Sequence, residues 1–292
     1  MIPSRVMRSH ILLIAGPTAS GKSSRAVAEA QTRGGEVISV DSRQVYRGLD
    51  IGTEKISKEE MQGVPHHLID IRSALEPYSA GDFVQDANRL INEISERGKL
   101  PILAGGTHFY FDALLSGLPM GTDANPDLRT ELEDIPTEEL YARIRAKDPR
   151  RADELDPQNR RRLIRALEII EAHGKVPERA SVSPYDTEWI MIDPDREELR
   201  ARIDARLEQA LARGLIDEVQ RVREEVGDAR LNELGLEYKI VGEFLRGERT
   251  EASLLPTLSA KLWQYARRQK AWLRKLHDEQ ISSAEASHQD RS

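Results

Sequence analysis

A chain of 292 residues with 39% apolar and 32% charged residues is long for one compact unit and suits a soluble core domain with a smaller one attached. Its formal net charge of −7 argues against a protein that coats nucleic acid with its whole surface, and the absence of cysteine excludes disulfides, thiolate zinc sites and thiol catalysis. No apolar run approaches a membrane span and residues 1–8 lack a signal-peptide core, so a cytoplasmic protein with no membrane partner is expected.

The first predicted element is an apolar strand at 11–15, which runs into Gly16, Pro17, Thr18, Ala19, Ser20, Gly21, Lys22 and Ser23. This is a phosphate loop: a buried strand delivers the chain to a glycine turn, and backbone N–H groups cradle phosphate oxygens at the start of a helix, here 23–31. Lys22 adds a cation, and the Ser23 hydroxyl can ligate magnesium. The loop alone is equally an ATP- or nucleotide-binding motif and does not say which phosphate compound it holds.

Residues 36–41 read as a second buried strand ending at Asp41 and followed by Ser42, Arg43 and Gln44. Strand ends in a parallel sheet face the ligand crevice, which places Asp41 near the loop. From the residues alone this carboxylate can be a general base, a magnesium ligand through water, or a cap on the local turn. Residues 50–67 read as loop with a short helix, and 67–71 as a third strand. Adjacent His66 and His67 point in different directions on a strand, which favours turn or core packing over metal. A helix is expected over 79–97, then a strand at 100–104 that ends in Gly105, Gly106 and Thr107. Alternating strands and helices around a phosphate loop predict an α/β fold, a P-loop NTPase-like parallel sheet core, with right-handed crossovers.

From about residue 120 the character changes. Charged helices predict a helical insertion at 121–185, before a strand at 188–192 returns the chain to the sheet. The core then comprises 1–120 and 186–280, with helices over 195–227 (broken near Gly214) and 236–277, and the small polar residues 281–292 predict a disordered tail. Arg160, Arg161, Arg162 and Arg165 form one basic stripe. Lys261, Arg267, Arg268, Lys270, Arg274 and Lys275, interleaved with Trp263, Tyr265 and Trp272, form another, with no acidic residue between Glu251 and Asp278. Either could be a solvated helix face; the pair, with aromatics able to stack on bases, favours a nucleic-acid groove.

Taken together, segments 16–23, 38–53, 65–71, 78–83, 105–110, 162–168 and 264–274 resemble, in order and spacing, the tRNA dimethylallyltransferases, or tRNA isopentenyltransferases. The resemblance implies transfer of the dimethylallyl group of dimethylallyl diphosphate to N6 of the adenine just 3′ of the anticodon (position 37), in tRNAs that read codons beginning with U. It implies that Lys22, Asp41 and Thr107 are catalytic, with Asp41 accepting the N6 proton, and that loop residues 16–23 with Lys239 hold the diphosphate beside Mg2+ on Ser23. It also implies tRNA contacts from Asp41, Ser42, Arg43, Gln44, Thr107, Arg129, Arg161, Arg162, Arg165, Gln264, Arg267 and Arg268, with the insertion clamping the anticodon stem of tRNA and the adenine flipped out of its stack. A monomer is expected.

Two departures stand out. Bacterial members often carry Gly-Tyr-Arg-Gln where this chain has Glu237, Tyr238, Lys239 and Ile240, and the resemblance assigns that arginine to the diphosphate; Lys239 supplies charge without the two-pronged geometry. Leu262 and Trp263 replace the common Thr-Arg pair. The competing readings are an adenylate isopentenyltransferase, which shares the loop and Asp41 but uses free nucleotides, and a P-loop small-molecule kinase.

Overall fold

The computed structural model describes residues 8–117, 125–177 and 183–289. The chain divides into two compact units, Met1–Leu115 with Val182–Ser292, and Ser116–Ser181.

The first unit is built on a five-stranded sheet in the order β3-β2-β4-β1-β5, all pairs parallel. β1 (His10–Ala15) leads through the phosphate loop into α1 (Lys22–Arg33), which stops at Gly34 with φ 65°. β2 (Gly35–Val40) is buried along its whole length, as a strand covered on both faces must be. β3 is only His66–His67, shorter than the strand expected over 67–71, because the backbone turns left-handed at Leu68 (φ 60°) and Asp70 (φ 57°). The expected short helix before it is instead a series of hydrogen-bonded turns, with Glu54 (φ 48°) and Gln62 (φ 50°) also left-handed. His67 Nε2 lies 2.8 Å from Glu36 Oε2, to which Arg97 also donates at 2.8 Å, so this histidine ties neighbouring strands together. Among the described residues no cluster of histidine, aspartate and glutamate could hold a metal ion.

α2 (Ala80–Glu96) opens with a reciprocal cap, in which Ser79 Oγ accepts from the Asp82 N–H and Asp82 accepts from the Ser79 N–H; it buries Phe83, Ala87, Leu90, Ile91 and Ile94. β4 (Leu100–Gly105) inserts between β1 and β2, and α3 (His108–Ser116) follows. Ala15 and Val40 both register with Gly105, so the loops after β1, β2 and β4 leave the sheet side by side.

The second unit is helical: α4 (Pro126–Glu133), α5 (Thr137–Lys147), α6 (Pro149–Glu154) and α7 (Arg160–His173). Leu132, Leu140, Ile144, Leu163, Leu167 and Ile170 give it its own core. The sequence expectation of 121–185 corresponds to Ser116–Ser181, and 118–124 and 178–182 lie outside the described residues.

β5 (Asp186–Met191) returns to the first unit beside β1. α8 (Arg196–Ala212) and α9 (Leu215–Leu231) are separated at Gly214 (φ 96°), then α10 (Leu236–Leu245), one 3-10 turn (Glu251–Ser253) and α11 (Leu254–Gln289) complete the chain. α11 continues through 281–289, where a disordered tail was expected: Ala284, Glu285 and Ala286 are strong helix formers and no glycine or proline intervenes. Residues 290–292 lie outside the described residues. Among the described residues no helix is long and apolar enough to cross a membrane.

Asp148 organises the second unit: Oδ1 accepts from the Arg151 N–H at 3.1 Å and Oδ2 from the Val176 N–H at 2.9 Å. Burial pushes its carboxyl up, but the amides of Val176 and Arg151, with the charge of Arg150, outweigh it and hold the carboxyl below its ordinary value of 3.8. A depressed carboxylate stabilises the fold above the unfolded-state value and loses that contribution as pH falls through the folded-state one. Hydrogen-exchange protection factors over 125–177, which allow for the slower intrinsic exchange in acid, should therefore fall as pH drops below about 4. Asp148→Ala should destabilise this unit by about 2 kcal/mol at neutral pH and remove that acid dependence.

Candidate active site

The phosphate loop is folded by constraints its glycines meet. A Cβ on Gly16 would lie 2.6 Å from Ser20 Oγ and 2.9 Å from Ile192 O, so only glycine lets the loop close over the end of β1. Gly21 (φ 85°) and Ala19 (φ 61°) are left-handed and turn the chain into α1. Inside the loop Ser20 Oγ is buried with no hydrogen-bond partner among the described residues, while Lys22 Nζ donates to Pro17 O at 3.2 Å. Burial lowers the Lys22 ammonium from its ordinary value against the opposing pull of Asp41.

Asp41, Ser42 and Thr107 leave the adjacent strand ends. Asp41 Oδ1 accepts from the N–H groups of Arg43 (2.8 Å) and Gln44 (3.3 Å), while its Oδ2 has no hydrogen-bond partner among the described residues. The carboxylate thus caps the local turn and still presents an open oxygen. Thr107 Oγ1 accepts from the Ser42 N–H at 3.3 Å, joining the β4 turn to the β2 turn. Gln44, expected to contact tRNA, has its amide engaged within the protein: its Nε2 donates to Thr53 O and Glu54 O and its Oε1 accepts from Ser39 Oγ, so it holds the 53–54 turn.

Phosphate-loop residues 18–23, Asp41, Ser42 and Gln44 line one cavity of about 710 Å³ with Arg43, Glu54, Arg206, Glu237, Lys239, Tyr265, Arg268 and Gln269, and Thr107 stands behind Ser42. Two of its residues, Arg206 and Gln269, escaped the sequence reading, as did Arg202 beside the loop. Arg206 on α8 donates through Nη1 to Thr18 Oγ1 and pairs with Glu54 Oε1 at 2.9 Å and Glu237 Oε1 at 3.3 Å. Its neighbour one turn earlier, Arg202, donates to Ser20 O at 3.1 Å. The i, i+4 arginine pair was visible but looked like an ordinary charged helix face. Gln269 on α11 is buried, accepts from the Thr18 N–H at 3.0 Å and donates to Gly106 O at 2.9 Å, which stitches the phosphate loop to the end of β4. Nothing in the sequence distinguishes such a glutamine from a surface one. Glu237, at the first place of the Gly-Tyr-Arg-Gln pattern, lies in the cavity, and Lys239 is exposed at its edge. Burial pushes the Tyr265 hydroxyl up to about 12.

The basic stripes divide into structural and solvent-facing members. Lys270 pairs with Asp193 at 2.6 Å and Arg274 donates to the same carboxylate at 2.9 Å. Trp263, expected as a stacking platform, lies between the guanidinium groups of Arg196 (5.9 Å) and Arg200 (5.8 Å). Lys261, Gln264, Arg267 and Arg268 are exposed on α11, and Trp272, 44% exposed, stacks on His108 with ring centroids 5.1 Å apart. In the second unit Arg160 binds backbone carbonyls of Ile135 and Leu132, while Arg129 and Arg165 both pair with buried Glu168 at 2.8 and 2.9 Å. Arg161 and Arg162 are exposed, and neither guanidinium has a hydrogen bond or ion pair among the described residues, the Arg162 N–H being taken by the Asn159 cap.

A parallel sheet whose first strand feeds a phosphate loop, with an acidic and a hydroxyl side chain on neighbouring strand ends, defines a phosphate-loop α/β protein of group-transfer type. A profile described as IPP transferase matches residues 44–276, and the chain belongs to that family. It is 41% identical over 278 residues to a tRNA dimethylallyltransferase of Thermomicrobium roseum, covering 92% of this chain and 84% of that one. With its counterpart from Leuconostoc citreum it is 41% identical over 269 residues, covering 91% and 90%. Among solved structures it is similar to a full-length tRNA isopentenylpyrophosphate transferase from Bacillus halodurans (TM-score 0.69, 35% identity, 96% and 100% covered). It is also similar to a eukaryotic dimethylallyltransferase captured acting on tRNA (TM-score 0.81, 30% identity, 91% and 70% covered).

Replacing Gln269 by leucine keeps the side chain's bulk but leaves the Thr18 N–H unpaired and takes from Gly106 O one of its two donors, the other being the His108 N–H. We expect a loss of about 2–3 kcal/mol in denaturant unfolding and weaker binding of inorganic pyrophosphate by titration calorimetry. Unchanged affinity would mean that the loop holds its shape without this bridge.

Proposed function

We propose that this protein transfers the dimethylallyl group of dimethylallyl diphosphate to N6 of the adenine 3′ of the anticodon in tRNAs reading codons that begin with U. The observation that carries the reading is the convergence, in one cavity, of a phosphate loop and the open Oδ2 of Asp41, with the Thr107 hydroxyl bound to the backbone of the next residue, Ser42. In the reaction the allylic C–O bond breaks and its electron pair leaves with pyrophosphate. The N6 lone pair forms the new C–N bond, and the amine proton passes to Asp41. Loop N–H groups, Lys22 and Arg206 bind the leaving group where its charge develops, which is stabilisation of the transition state rather than of the substrate. Thr107, fixed by Ser42, sits beside Asp41 to orient the amine. The Ser23 hydroxyl and the open Asp41 oxygen are hard oxygen donors lining the same cavity, the donor type magnesium prefers. When bound, magnesium would supply further charge neutralisation for the diphosphate.

Recognition of tRNA follows from the solvent-facing cations. Gln264, Arg267 and Arg268 on α11 and Arg161 and Arg162 on α7 are exposed. Arg129 and Arg165 are held by Glu168, with guanidinium groups about 40% exposed (42% and 38%). These are contacts to a phosphate backbone, whose strength depends on salt. The reading places the protein in the cytoplasm, acting as a monomer.

Purified protein with magnesium, dimethylallyl diphosphate and unmodified tRNA should yield N6-dimethylallyladenosine by mass spectrometry of digested tRNA. No product from folded protein, or ATP consumption with a small acceptor and no tRNA, would overturn the reading. Asp41→Ala should slow the chemical step by about 10² to 10⁴ while tRNA binding persists. Arg161→Ala combined with Arg165→Ala should weaken tRNA binding and reduce the slope of log affinity against log salt by about one to two.

A further inference from the structure

Arg206 reaches the phosphate loop with its guanidinium already engaged. Nη1 donates to Thr18 Oγ1, Nε pairs with Glu54 at 2.9 Å and Nη2 with Glu237 at 3.3 Å. The side chains of Arg206 and Glu237 are 10% and 12% exposed, so this pair is a feature of the cavity wall and not of the surface. A diphosphate on the loop brings several negative charges toward the same guanidinium, whose fork matches phosphate oxygens two at a time. Substrate and carboxylates therefore compete for the same nitrogens.

The two carboxylates are not equivalent. Glu54 stands on a turn and is 36% exposed, so it can swing toward water. Glu237 lies in the first turn of α10, next to Tyr238, whose hydroxyl is fixed on buried Glu218 at 2.7 Å. It has no comparable route out. Burial, with the nearby charges of Asp41 and Glu54, holds its carboxyl above the ordinary range against the pull of Arg206. A carboxylate short of counter-charge is what an incoming polyanion meets there.

We propose that Glu237 is the counter-ion that the donor diphosphate displaces from Arg206, and so is a determinant of donor affinity and of pyrophosphate release. In the empty site it neutralises Arg206 and keeps it aimed at Thr18. With diphosphate present it repels the ligand across a low-dielectric wall, and it recaptures Arg206 as pyrophosphate departs. The proposal rests on the reading above that this cavity takes a diphosphate.

The test is calorimetric titration of inorganic pyrophosphate, at fixed magnesium, into the full chain, its Glu237→Gln variant and its Glu237→Asp variant. Glu237→Gln should tighten binding by about tenfold and lower the KM for dimethylallyl diphosphate without a matching gain in kcat, whereas Glu237→Asp, which keeps the charge, should stay close to wild type. A residue with a merely structural role would weaken binding when altered. Should Glu237→Gln fail to fold, Glu237→Gly is read by the same criterion. Equal or weaker pyrophosphate binding by a folded uncharged variant, with wild-type transferase activity intact, overturns this proposal alone. Absence of pyrophosphate binding by every form, wild type included, overturns it together with the diphosphate reading.

Discussion

The cavity depends on how closely β4 approaches β2 where both strands end. A Cβ on Gly105 would lie 2.0 Å from Val40 O, a distance no side chain can occupy, so the sheet closes there only with glycine. That approach aligns the strand ends and lets the Gly16 N–H donate to Gly105 O at 3.3 Å. Thr107 N then reaches Val40 O at 3.3 Å, tying the β4 turn to the end of β2, and the phosphate loop and Asp41 open into one crevice. Loop chemistry is placed by backbone geometry, not by contacts among the polar side chains themselves.

A second constraint fixes the opposite wall. Buried Glu218 on α9 accepts from the N–H groups of Asp50, Ile51 and Gly52 and from the Tyr238 hydroxyl, at 2.7 to 3.0 Å. One carboxylate thereby anchors the turn that carries Glu54 and the helix that carries Glu237 and Lys239. A buried charge of this kind persists only because its oxygens are fully hydrogen-bonded. The cations of the cavity are sorted by the same rule: Arg206 and Lys22 are held in place, whereas Lys239 and Arg268 stay exposed at its edge.

The parallel sheet, the phosphate loop and the helical insertion were legible because each leaves a local trace: an apolar run ending in glycines, a fixed motif, a stretch of charged helices. β3 was overestimated because 68–71 is apolar enough for a strand, yet its left-handed turns at Leu68 and Asp70 leave no trace in composition. Arg206, Glu218 and Gln269 were missed for a common reason. Each acts across more than 165 residues of sequence, on Thr18, on 50–52 and again on Thr18, and charge or amide on a helix face carries no mark of what it will touch. The second basic stripe misled for the converse reason. Its Lys270 and Arg274 find Asp193, and Trp263 is covered by arginines from α8, so only part of a continuous cationic run faces solvent.

The bridge from Gln269 to Thr18 spans 251 positions, from nearly the last element of the chain to nearly the first. During synthesis the phosphate loop and its helix leave the ribosome long before α11 exists, and until that helix docks the Thr18 N–H lacks its Gln269 partner and the loop is not tied to the end of β4 through Gly106 O. A nascent or C-terminally clipped chain can thus carry an intact phosphate-loop sequence on a formed sheet and still lack the finished cradle. The order of synthesis thus separates the motif from its brace: the loop made early takes its final tie to β4 only when α11, whose Gln269 is made 251 residues after Thr18, docks on it.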